Sequence, residues 1–313
     1  METDEKKEQK SGILLGLAAF MLWGVLPVYW KSLSSFAAEE ILAHRVVWSF
    51  VFMAVVLLAT GQLKSFWTEV RQIAGHRKRV LGICAASLMI SINWLVFIWA
   101  VNANRIVETS LGFYINPLVS VLLGVLVLKE RLSFWQTAAF SLAGAGVLVL
   151  TLQFGTVPWV SLLLAGSFAV YGLCKKMVNI SAVTSITLET LLISPWALLY
   201  LVYLEQSGSG SVAFSELKTM LLFVGTGVVT ATPLLLFSGS ANRLPLTMIG
   251  FLQYLSPTIA LLIGIMVYHE PFSGTHAVAF GCIWGALVLV SMAQTKAFMK
   301  MEAKLTKKAA LES

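Results

Sequence analysis

Two charged residues, Arg45 and Glu189, lie inside long apolar stretches of the 313-residue chain. If such a stretch crosses a lipid bilayer, a charge near its centre costs at least about 2.5–3.5 kcal/mol, so each charge requires a reason. A guanidinium there could bind an anionic group or gate an entrance, and a carboxyl group could bind a cationic group or carry a proton. Alternatively, both charges could belong to structural ion pairs or extend towards the interface along their aliphatic stems.

The depths of these two charges argue against a direct salt bridge between them. Arg45 lies about six residues into its segment, and Glu189 lies about as deep in its own from the opposite face, roughly 9 Å each at 1.5 Å per residue. In a hydrocarbon core of about 30 Å their depths differ by about 12 Å. Glu108, near the start of the fourth apolar segment, is the expected partner of Arg45.

Two prolines, Pro117 and Pro257, fall in the middle of apolar segments. A proline removes one backbone donor and leaves a carbonyl group unpaired, and membranes tolerate such groups where they line a cavity or meet another helix. Symmetric kinks at the two prolines would suit hinges beside a central site, although helix packing alone could also explain them. The neighbouring side chains that could form hydrogen bonds in such a cavity are Tyr114, Asn116, Gln253, Tyr254 and Ser256.

Three aromatic residues within apolar segments, Trp23, Trp94 and Tyr171, could wall a pocket for an aromatic or amphipathic solute. Core packing is the alternative interpretation. Asn93, next to Trp94, is an amide in an apolar segment and would need hydrogen-bond partners there, so it is included as a further candidate.

Other kinds of chemistry are not indicated by the sequence. The three cysteines and four histidines are scattered, without C-x-x-C or H-E-x-x-H spacing, so neither a metal site nor a disulfide framework is expected. Neither G-x-x-x-x-G-K-[ST] nor a G-x-G-x-x-G before a helix is present, which argues against ATP-driven pumping by this chain. We predict no cofactor and no enzymatic reaction.

The composition indicates a membrane protein. Hydrophobic residues make up 58% of the chain and charged residues only 12%, with a mean hydropathy of +0.84. Soluble domains carry about 25% charged residues, so most of this surface must face lipid or other helices. The net charge of +7 resides in tails and short connections, where basic residues act as topology signals, and nucleic acid is therefore not an expected partner.

A helix that crosses the hydrocarbon core needs about 20 apolar residues. Ten segments meet this requirement, so we predict an all-α integral membrane protein with short connections and with cytoplasmic tails at 1–11 and 297–313. The predicted spans are 12–30, 39–60, 79–101, 106–128, 133–152, 156–174, 183–204, 217–241, 244–268 and 273–296.

The distribution of Lys and Arg predicts the orientation. With the N-terminus in the cytoplasm, nearly all basic residues fall in inner segments, and only Lys31, Arg105 and Lys218 fall in outer ones. The inner group includes Lys175 and Lys176, which follow the sixth span. This contrast predicts that both termini are cytoplasmic, which requires an even number of spans.

The two halves of the chain repeat an ordered series of residues. Ala103-Asn104-Arg105 recurs as Ala241-Asn242-Arg243, and Phe20-x-x-Trp23-Gly24 is similar to Phe168-x-x-Tyr171-Gly172. Further matches are Thr109 with Thr247, Gly112 with Gly250, Phe113 with Phe251 and, after a two-residue insertion in the second half, Tyr114 with Tyr254, Pro117 with Pro257, Gly124 with Gly264, Glu130 with Glu270 and Ser133 with Ser273.

Five spans per repeat is an odd number, so the second repeat, 156–296, must enter the membrane from the face opposite to the first, 12–152. We therefore predict two inverted five-helix repeats, an architecture in which two similar bundles can expose a midplane site alternately to each side. The alternative is that duplication merely built a large helical bundle.

The chain also resembles the EamA family of the drug/metabolite transporter superfamily, and within it the RarD-like permeases. The resemblance covers about residues 12–296 and rests on Leu17-Ala-Ala-Phe-Met-Leu-Trp-Gly24, Glu40-Ile-Leu-Ala-His-Arg-Val-Val-Trp48, Asn93-Trp-Leu-Val-Phe-Ile-Trp-Ala-Val-Asn102, Ser110-Leu-Gly-Phe-Tyr-Ile-Asn-Pro117, Tyr171-Gly-Leu-Cys-Lys-Lys176 and Gly250-Phe-Leu-Gln-Tyr-Leu-Ser-Pro257. It implies a ten-helix permease of the bacterial plasma (inner) membrane. The chloramphenicol-associated name of RarD-like proteins determines neither the substrate nor the direction.

These observations favour a secondary transporter that moves a small organic metabolite or drug-like solute by alternating access, with export favoured. The expected partners are the small-molecule substrate and the lipid bilayer, with protons as a candidate coupling ion, and the chain would act as a monomer or homodimer. The alternatives are a membrane enzyme acting on lipid and a membrane sensor or scaffold that does not transport.

Overall fold

The structure, a computed structural model, describes residues 2–103, 105–155, 157–208, 210, 216–268, 273–293, 298 and 301–302. Of these described residues 88% are helical, and none forms a strand. The first helix already begins at Glu2, so residues 2–11 of the predicted N-terminal tail continue the first span as a helix. Most of the predicted tail at 297–313 lies outside the described residues, as does Glu270 of the repeat series.

The helices follow one another through short connections. Their bounds are α1 Glu2–Lys31, α2 Ala38–Ala59, α3 Leu63–Ala74, α4 Arg77–Asn102, α5 Ile106–Leu126, α6 Phe134–Phe154, α7 Trp159–Val178, α8 Ala182–Gln206, α9 Leu217–Arg243, α10 Leu246–Gln253, α11 Leu255–Tyr268 and α12 Gly274–Ala293. Ten spans within the described residues are long and apolar enough to cross a membrane. This number confirms the predicted count, and the predicted bounds differ from the observed ones mainly at helix ends.

The short helix α3 was not predicted. It lies between the second and third spans and is amphipathic, with Phe66 and Ile73 buried and Trp67 exposed. Ile73 packs against Ile83, Val178 and Ile180, so α3 contacts the turn that joins α7 to α8. It is too short to span a bilayer, because twelve residues rise only about 18 Å.

The ninth span is divided into α10 and α11 at Tyr254. The division coincides with the two-residue insertion that distinguishes this span from the fourth, whose helix α5 runs through Pro117 without interruption. Two extra residues rotate a helix by about 200°, so a break is needed to keep the following residues on their face. Pro257 adds to the break, because its ring excludes the carbonyl group of Gln253 from the regular helical position. The two prolines therefore differ in their setting, since α5 continues through Pro117 and Pro257 follows a helix break.

Helix packing pairs elements from the two halves. In the repeat register α1 corresponds to α7, α4 to α9, and α5 to α10 and α11. Accordingly, α1 packs against α9 and α11, while α7 packs against α4 and α5. The last helices of the two halves, α6 and α12, pack against each other.

Two equivalent helix starts carry the same kind of cap. Ser133 and Gln136 form a capping box at α6, in which the Gln136 backbone amide donates to Ser133 Oγ and the Ser133 amide donates to Gln136 Oε1. Ser273 and His276 make the same pair of contacts at α12, with imidazole Nδ1 as the acceptor. Such caps satisfy amides that have no partner inside the helix.

Glu130 caps the first half of the divided span. Its Oε1 accepts a hydrogen bond from the Leu246 amide at 2.7 Å, and its Oε2 accepts one from the Thr247 amide at 2.8 Å. A carboxylate is favoured at a helix N-terminus by both the free amides and the helix dipole. The loop after α5 therefore positions α10.

The contact between α2 and α9 depends on a glycine. A Cβ atom on Gly227 would overlap the carbonyl group of Trp48, whereas one on Gly144 in α6 would meet nothing within 4 Å. Glycines of this kind allow membrane helices to approach closely.

We therefore expect Gly227→Ala to destabilise the protein and Gly144→Ala to leave it unchanged or slightly more stable. The first substitution forces two backbones apart and should cost about 1–3 kcal/mol, while the second removes a flexible residue from a helix. Thermal unfolding in detergent measures both. Equal transition temperatures for the two variants would contradict the close approach of α2 and α9.

Candidate functional site

The structure separates the predicted site residues into two groups. The first group surrounds the contacts among α1, α2, α4, α7, α8 and α9 and comprises Trp23, Arg45, Asn93, Trp94, Tyr171 and Glu189. The second group lies along α5, α10 and α11 and comprises Tyr114, Asn116, Pro117, Gln253, Tyr254, Ser256 and Pro257. Glu108 belongs to neither group.

Arg45 lies between two indole rings. The guanidinium carbon is 4.3 Å from the centroid of the Trp94 ring and 5.0 Å from that of Trp30, and Nε donates a hydrogen bond of 2.8 Å to Thr230 Oγ1. We call Trp30, Arg45, Trp94 and Thr230 the arginine–tryptophan site. Its residues come from α1, α2, α4 and α9, so the site joins helices from both halves of the chain.

Cation–π contacts lower the cost of holding the Arg45 charge in an apolar bundle, by about 0.5–2 kcal/mol per contact. They do not neutralise it. Among the described residues no carboxylate forms an ion pair with Arg45. A planar guanidinium offers five donors in a fork that matches a carboxylate, and Thr230 accounts for one of them. The site is therefore suited to an anionic group.

The prediction that Glu108 pairs with Arg45 is wrong. Glu108 forms an ion pair with Arg105, with 2.5 Å between Nε and Oε1. The two residues are three apart at the start of α5 and therefore share one helical face. Because α5 packs against α7 and α10, its first turn does not reach α2. Arg105 in turn stacks on Trp159, 4.7 Å from the ring centroid.

Glu189 is at the centre of a buried polar network. Its Oε1 accepts hydrogen bonds from Lys175 Nζ at 2.5 Å and from Ser185 Oγ at 2.9 Å, and its Oε2 accepts one from Tyr171 OH at 3.1 Å. Lys175 Nζ also donates to Ser185 Oγ at 2.7 Å. We call Tyr171, Lys175, Ser185 and Glu189 the lysine–glutamate network. All four residues are at most 3% exposed.

Sequence reasoning missed Lys175, because the charge pattern placed it with Lys176 in an inner connection. In the structure α7 continues to Val178, so Lys175 lies within the helix and faces α8. A signal was present in the spacing. Tyr171 and Lys175 are four residues apart, as are Ser185 and Glu189, so each pair occupies one helical face. Glu189 does not pair with Arg45, in agreement with the difference in their predicted depths.

Five aromatic residues, Phe20, Trp23, Phe168, Tyr171 and Phe237, form a cluster between these two sites. The Trp23 ring lies 5.6 Å from Phe168 and 5.7 Å from Phe237, and Tyr171 stacks on Phe237 at 5.8 Å. We call these residues the aromatic cluster. Trp23 and Tyr171 pack against neighbouring rings at this level of the bundle, which matches the core-packing alternative.

The arginine–tryptophan site is displaced from this cluster along the bundle axis, as two helices that run in opposite directions, α1 and α9, both show. Trp30 follows Trp23 by seven residues on α1, and Thr230 precedes Phe237 by seven on α9, which corresponds to about 10 Å in each case. Asn93 of α4 donates from Nδ2 to two acceptors on α7, the Leu164 carbonyl at 2.9 Å and Ser167 Oγ at 3.1 Å.

These contacts place Trp94, next to Asn93, roughly 12–16 Å from Lys175 along the bundle. The two charged sites therefore lie on opposite sides of the aromatic cluster. Asn93 itself links α4 to α7, because its Nδ2 donates to both acceptors on α7.

The second group of predicted residues ties α5 to the divided span. Tyr114 OH donates to the Pro257 carbonyl at 3.3 Å, and Ser120 Oγ donates to Gln253 Oε1 at 3.2 Å. Gln253 Nε2 and Tyr254 OH are buried without a hydrogen-bond partner among the described residues. Tyr254 packs in an apolar cluster with residues of α5, α6 and α12. Asn116 is buried near Ser120, and Ser256 is half-buried beside Gly24 of α1.

Two grooves lie away from these residues. One, of about 520 Å³, is lined by Lys64, Trp67, Thr68 and Arg71 of α3. The other, of about 440 Å³, is lined by Tyr29 of α1 and by Leu217, Lys218, Leu221, Leu222 and Gly225 of α9. Neither groove is lined by a residue predicted for the central site.

Comparisons with known proteins agree with this architecture. A solved crystal structure superposes with a TM-score of 0.68 over 90% of this chain and 97% of that chain; at 19% identity the likeness shows the fold alone. Residues 10–152 match the model of the EamA-like transporter family.

Relatives match over nearly their full length. The "Uncharacterized transporter YojE" of Bacillus subtilis is 50% identical over 92% of this chain and 96% of its own. An "Uncharacterized transporter" of Vibrio cholerae is 42% identical over 94% and 96%, and "Protein RarD" of Escherichia coli is 38% identical over 92% and 96%. The chain therefore belongs to the EamA-like transporter family, with RarD proteins among its relatives, and is a multi-pass membrane permease of the drug/metabolite transporter type.

Proposed function

We propose that this permease is a secondary transporter that moves small organic solutes with an anionic group across the bacterial inner membrane by alternating access, in the direction of export. The observation that carries the proposal is the arginine–tryptophan site. Arg45 is held among four helices from both halves of the chain, between two indole rings, and it has no ion pair among the described residues.

The chemistry of this site favours a carboxylate on a solute with an apolar or aromatic body. The guanidinium can present two parallel N–H donors to a carboxylate, which is stronger and more specific than a single contact. Trp30 and Trp94 orient the guanidinium and provide apolar surface beside it. A charge near the bilayer core is costly, and an anionic solute bound to the Arg45 guanidinium would offset that cost.

Alternating access follows from the proposed inverted repeats. The pairing of α1 with α9 and of α7 with α4 is the pattern expected when corresponding helices of the two halves exchange roles. We propose that both termini are cytoplasmic, which places Arg45 on the outer side of the aromatic cluster and Lys175 on its inner side. Movement of the two halves around the aromatic cluster would then expose one charged site at a time.

We expect purified protein in proteoliposomes to accelerate the flux of carboxylic acids with aromatic or aliphatic bodies more than that of matched amines and neutral nucleosides. The physical reason is the unpaired guanidinium at Arg45, which favours anions. Radiolabelled efflux from preloaded vesicles measures this, with empty liposomes as the control. Flux that is absent for the whole panel, or equal for the three charge classes, would refute the proposal.

Arg45→Lys should lower carboxylate flux by about tenfold or more, since lysine keeps the charge but loses the fork and the stacking. Arg105→Lys is the matched control, because Arg105 also stacks on an indole but already pairs with Glu108. We expect that control to transport at nearly the normal rate. If both variants transport equally well, Arg45 does not hold the solute.

A further inference from the structure

The lysine–glutamate network lies where α7 ends and α8 begins. Lys175 lies one turn before the end of α7, and Ser185 and Glu189 lie in the first two turns of α8. The connecting turn is held by Asn242, which donates to the Ile180 carbonyl, and by Ser181, which donates to Glu69 of α3 at 2.7 Å. The network joins α7 to α8 through side chains, and its Tyr171 also belongs to the aromatic cluster.

The two charges of the network depend on each other. Removing one partner of a buried ammonium–carboxylate pair strongly destabilises the protein, because the remaining charge is out of water and unpaired. Lys175 therefore requires one anion, and Glu189 supplies it in this state. If Glu189 becomes neutral, another anion must take its place, Lys175 must reach water, or its ammonium must lose a proton.

We propose that the lysine–glutamate network is a joint site for a proton and an anion: Glu189 binds the proton, and Lys175 then binds the anionic group of the solute. This inference rests on the proposed function, in which the solute is an anion. A proton from water adds to a Glu189 carboxylate oxygen, and the neutral carboxyl group releases the ammonium. The anion then pairs with Lys175, and the network carries zero net charge before and after.

This arrangement couples the solute to a proton. An anion without a proton would leave two carboxylates against one ammonium, and a proton without an anion would leave the ammonium unpaired. Both states are costly in a buried site, so the two ligands enter and leave together. The lysine–glutamate network thus supplies on the inner side what Arg45 supplies on the outer side, with the addition of proton linkage.

The titratable groups that face Glu189 are few. On α7 they are Tyr171, Cys174 and Lys175. From α3, Glu69 contacts Ser181 at the start of α8. The acidic residues of α2, Glu39 and Glu40, lie near Tyr200 towards the other end of α8. The other charged or titratable residues of α2 and α3 are His44, Arg45, Lys64 and Arg71. The remaining helices packed against α8 carry Arg77, Lys78, Arg79 and Cys84 on α4 and Lys218 and Arg243 on α9.

Glu189→Ala with added acetate tests the anion half of the proposal without knowledge of the natural solute. The substitution leaves a space that matches acetate, whose carboxylate can pair with Lys175. We expect the variant to unfold at a lower temperature than the parent protein and acetate to raise its transition by at least about 2 °C, since a ligand that binds only the folded form stabilises it. Chloride at equal ionic strength is the salt control.

Labelling of Cys174 on α7 gives a second measure of acetate binding, because loss of the Lys175–Glu189 pair should loosen α7 from α8 and expose this thiol. In a Cys84→Ala, Cys282→Ala background, maleimide labelling of half-buried Cys174 should be at least about tenfold faster in Glu189→Ala than with Glu189 intact, and acetate should slow it again. Glu69→Gln, which changes a nearby carboxyl group outside the network, should label at the parent rate. The double variant Lys175→Met, Glu189→Ala should show no acetate effect.

These outcomes decide the anion site. An acetate effect that persists in the double variant, or that is absent in Glu189→Ala, would overturn it. Neither readout requires transport, so the lysine–glutamate network can fail while Arg45 still binds the solute, and the reverse can also occur.

The proton half is tested by infrared spectroscopy of the reconstituted protein during acidification. We expect a protonated-carboxyl band that is present in the parent protein and in Glu69→Gln but absent in Glu189→Gln. Acetate should raise the pH at which the band appears, because proton and anion bind together. If no Glu189-dependent band appears while the protein remains folded, or if acetate leaves its midpoint unchanged, Glu189 is not the proton site.

Discussion

The cost of holding a charge inside an apolar bundle is the constraint on which this structure depends. Two cations, Arg45 and Lys175, lie within the same core of helices, and each is stabilised in a different way. Lys175 has a carboxylate partner, so its pair is complete. Arg45 has aromatic faces and one hydroxyl group, which reduce the cost of the charge without cancelling it. The difference between a completed and an incomplete ion pair is the basis of the separate roles proposed for these two residues.

The aromatic cluster lies between these two charges, and the proposed transport pathway rests on that arrangement. Its rings come from α1, α7 and α9, and the charged residues lie on opposite sides of it. In the proposed cycle, each charge offers an anion a resting point on one side of the cluster. The helices that carry them, α2 and α7, both pack against α4 and α9.

The scaffold is formed elsewhere, along α5, α6, α10, α11 and α12. Here the polar residues tie helices together: Tyr114 bonds to the backbone at Pro257, Ser120 bonds to Gln253, and Glu130 caps α10. A two-residue insertion breaks one of two otherwise matching spans; α10, before the break, packs against α5, and α11, after it, packs mainly against α1. If the proposed repeats arose by duplication, this insertion gives the two halves different local shapes in the ninth and fourth spans.

The sequence by itself determined the membrane class, the ten spans and the family resemblance, because hydropathy and segment length depend only on the order of residues along the chain. It also placed Arg45 and Glu189 at different depths, since helical rise converts residue number into distance. Tertiary structure decided which side chains meet. Glu108 turned towards Arg105 and Lys175 towards Glu189, because the direction of a side chain across the bundle is set by how helices rotate and pack. That rotation depends on contacts between residues far apart in the chain, so local spacing cannot provide it.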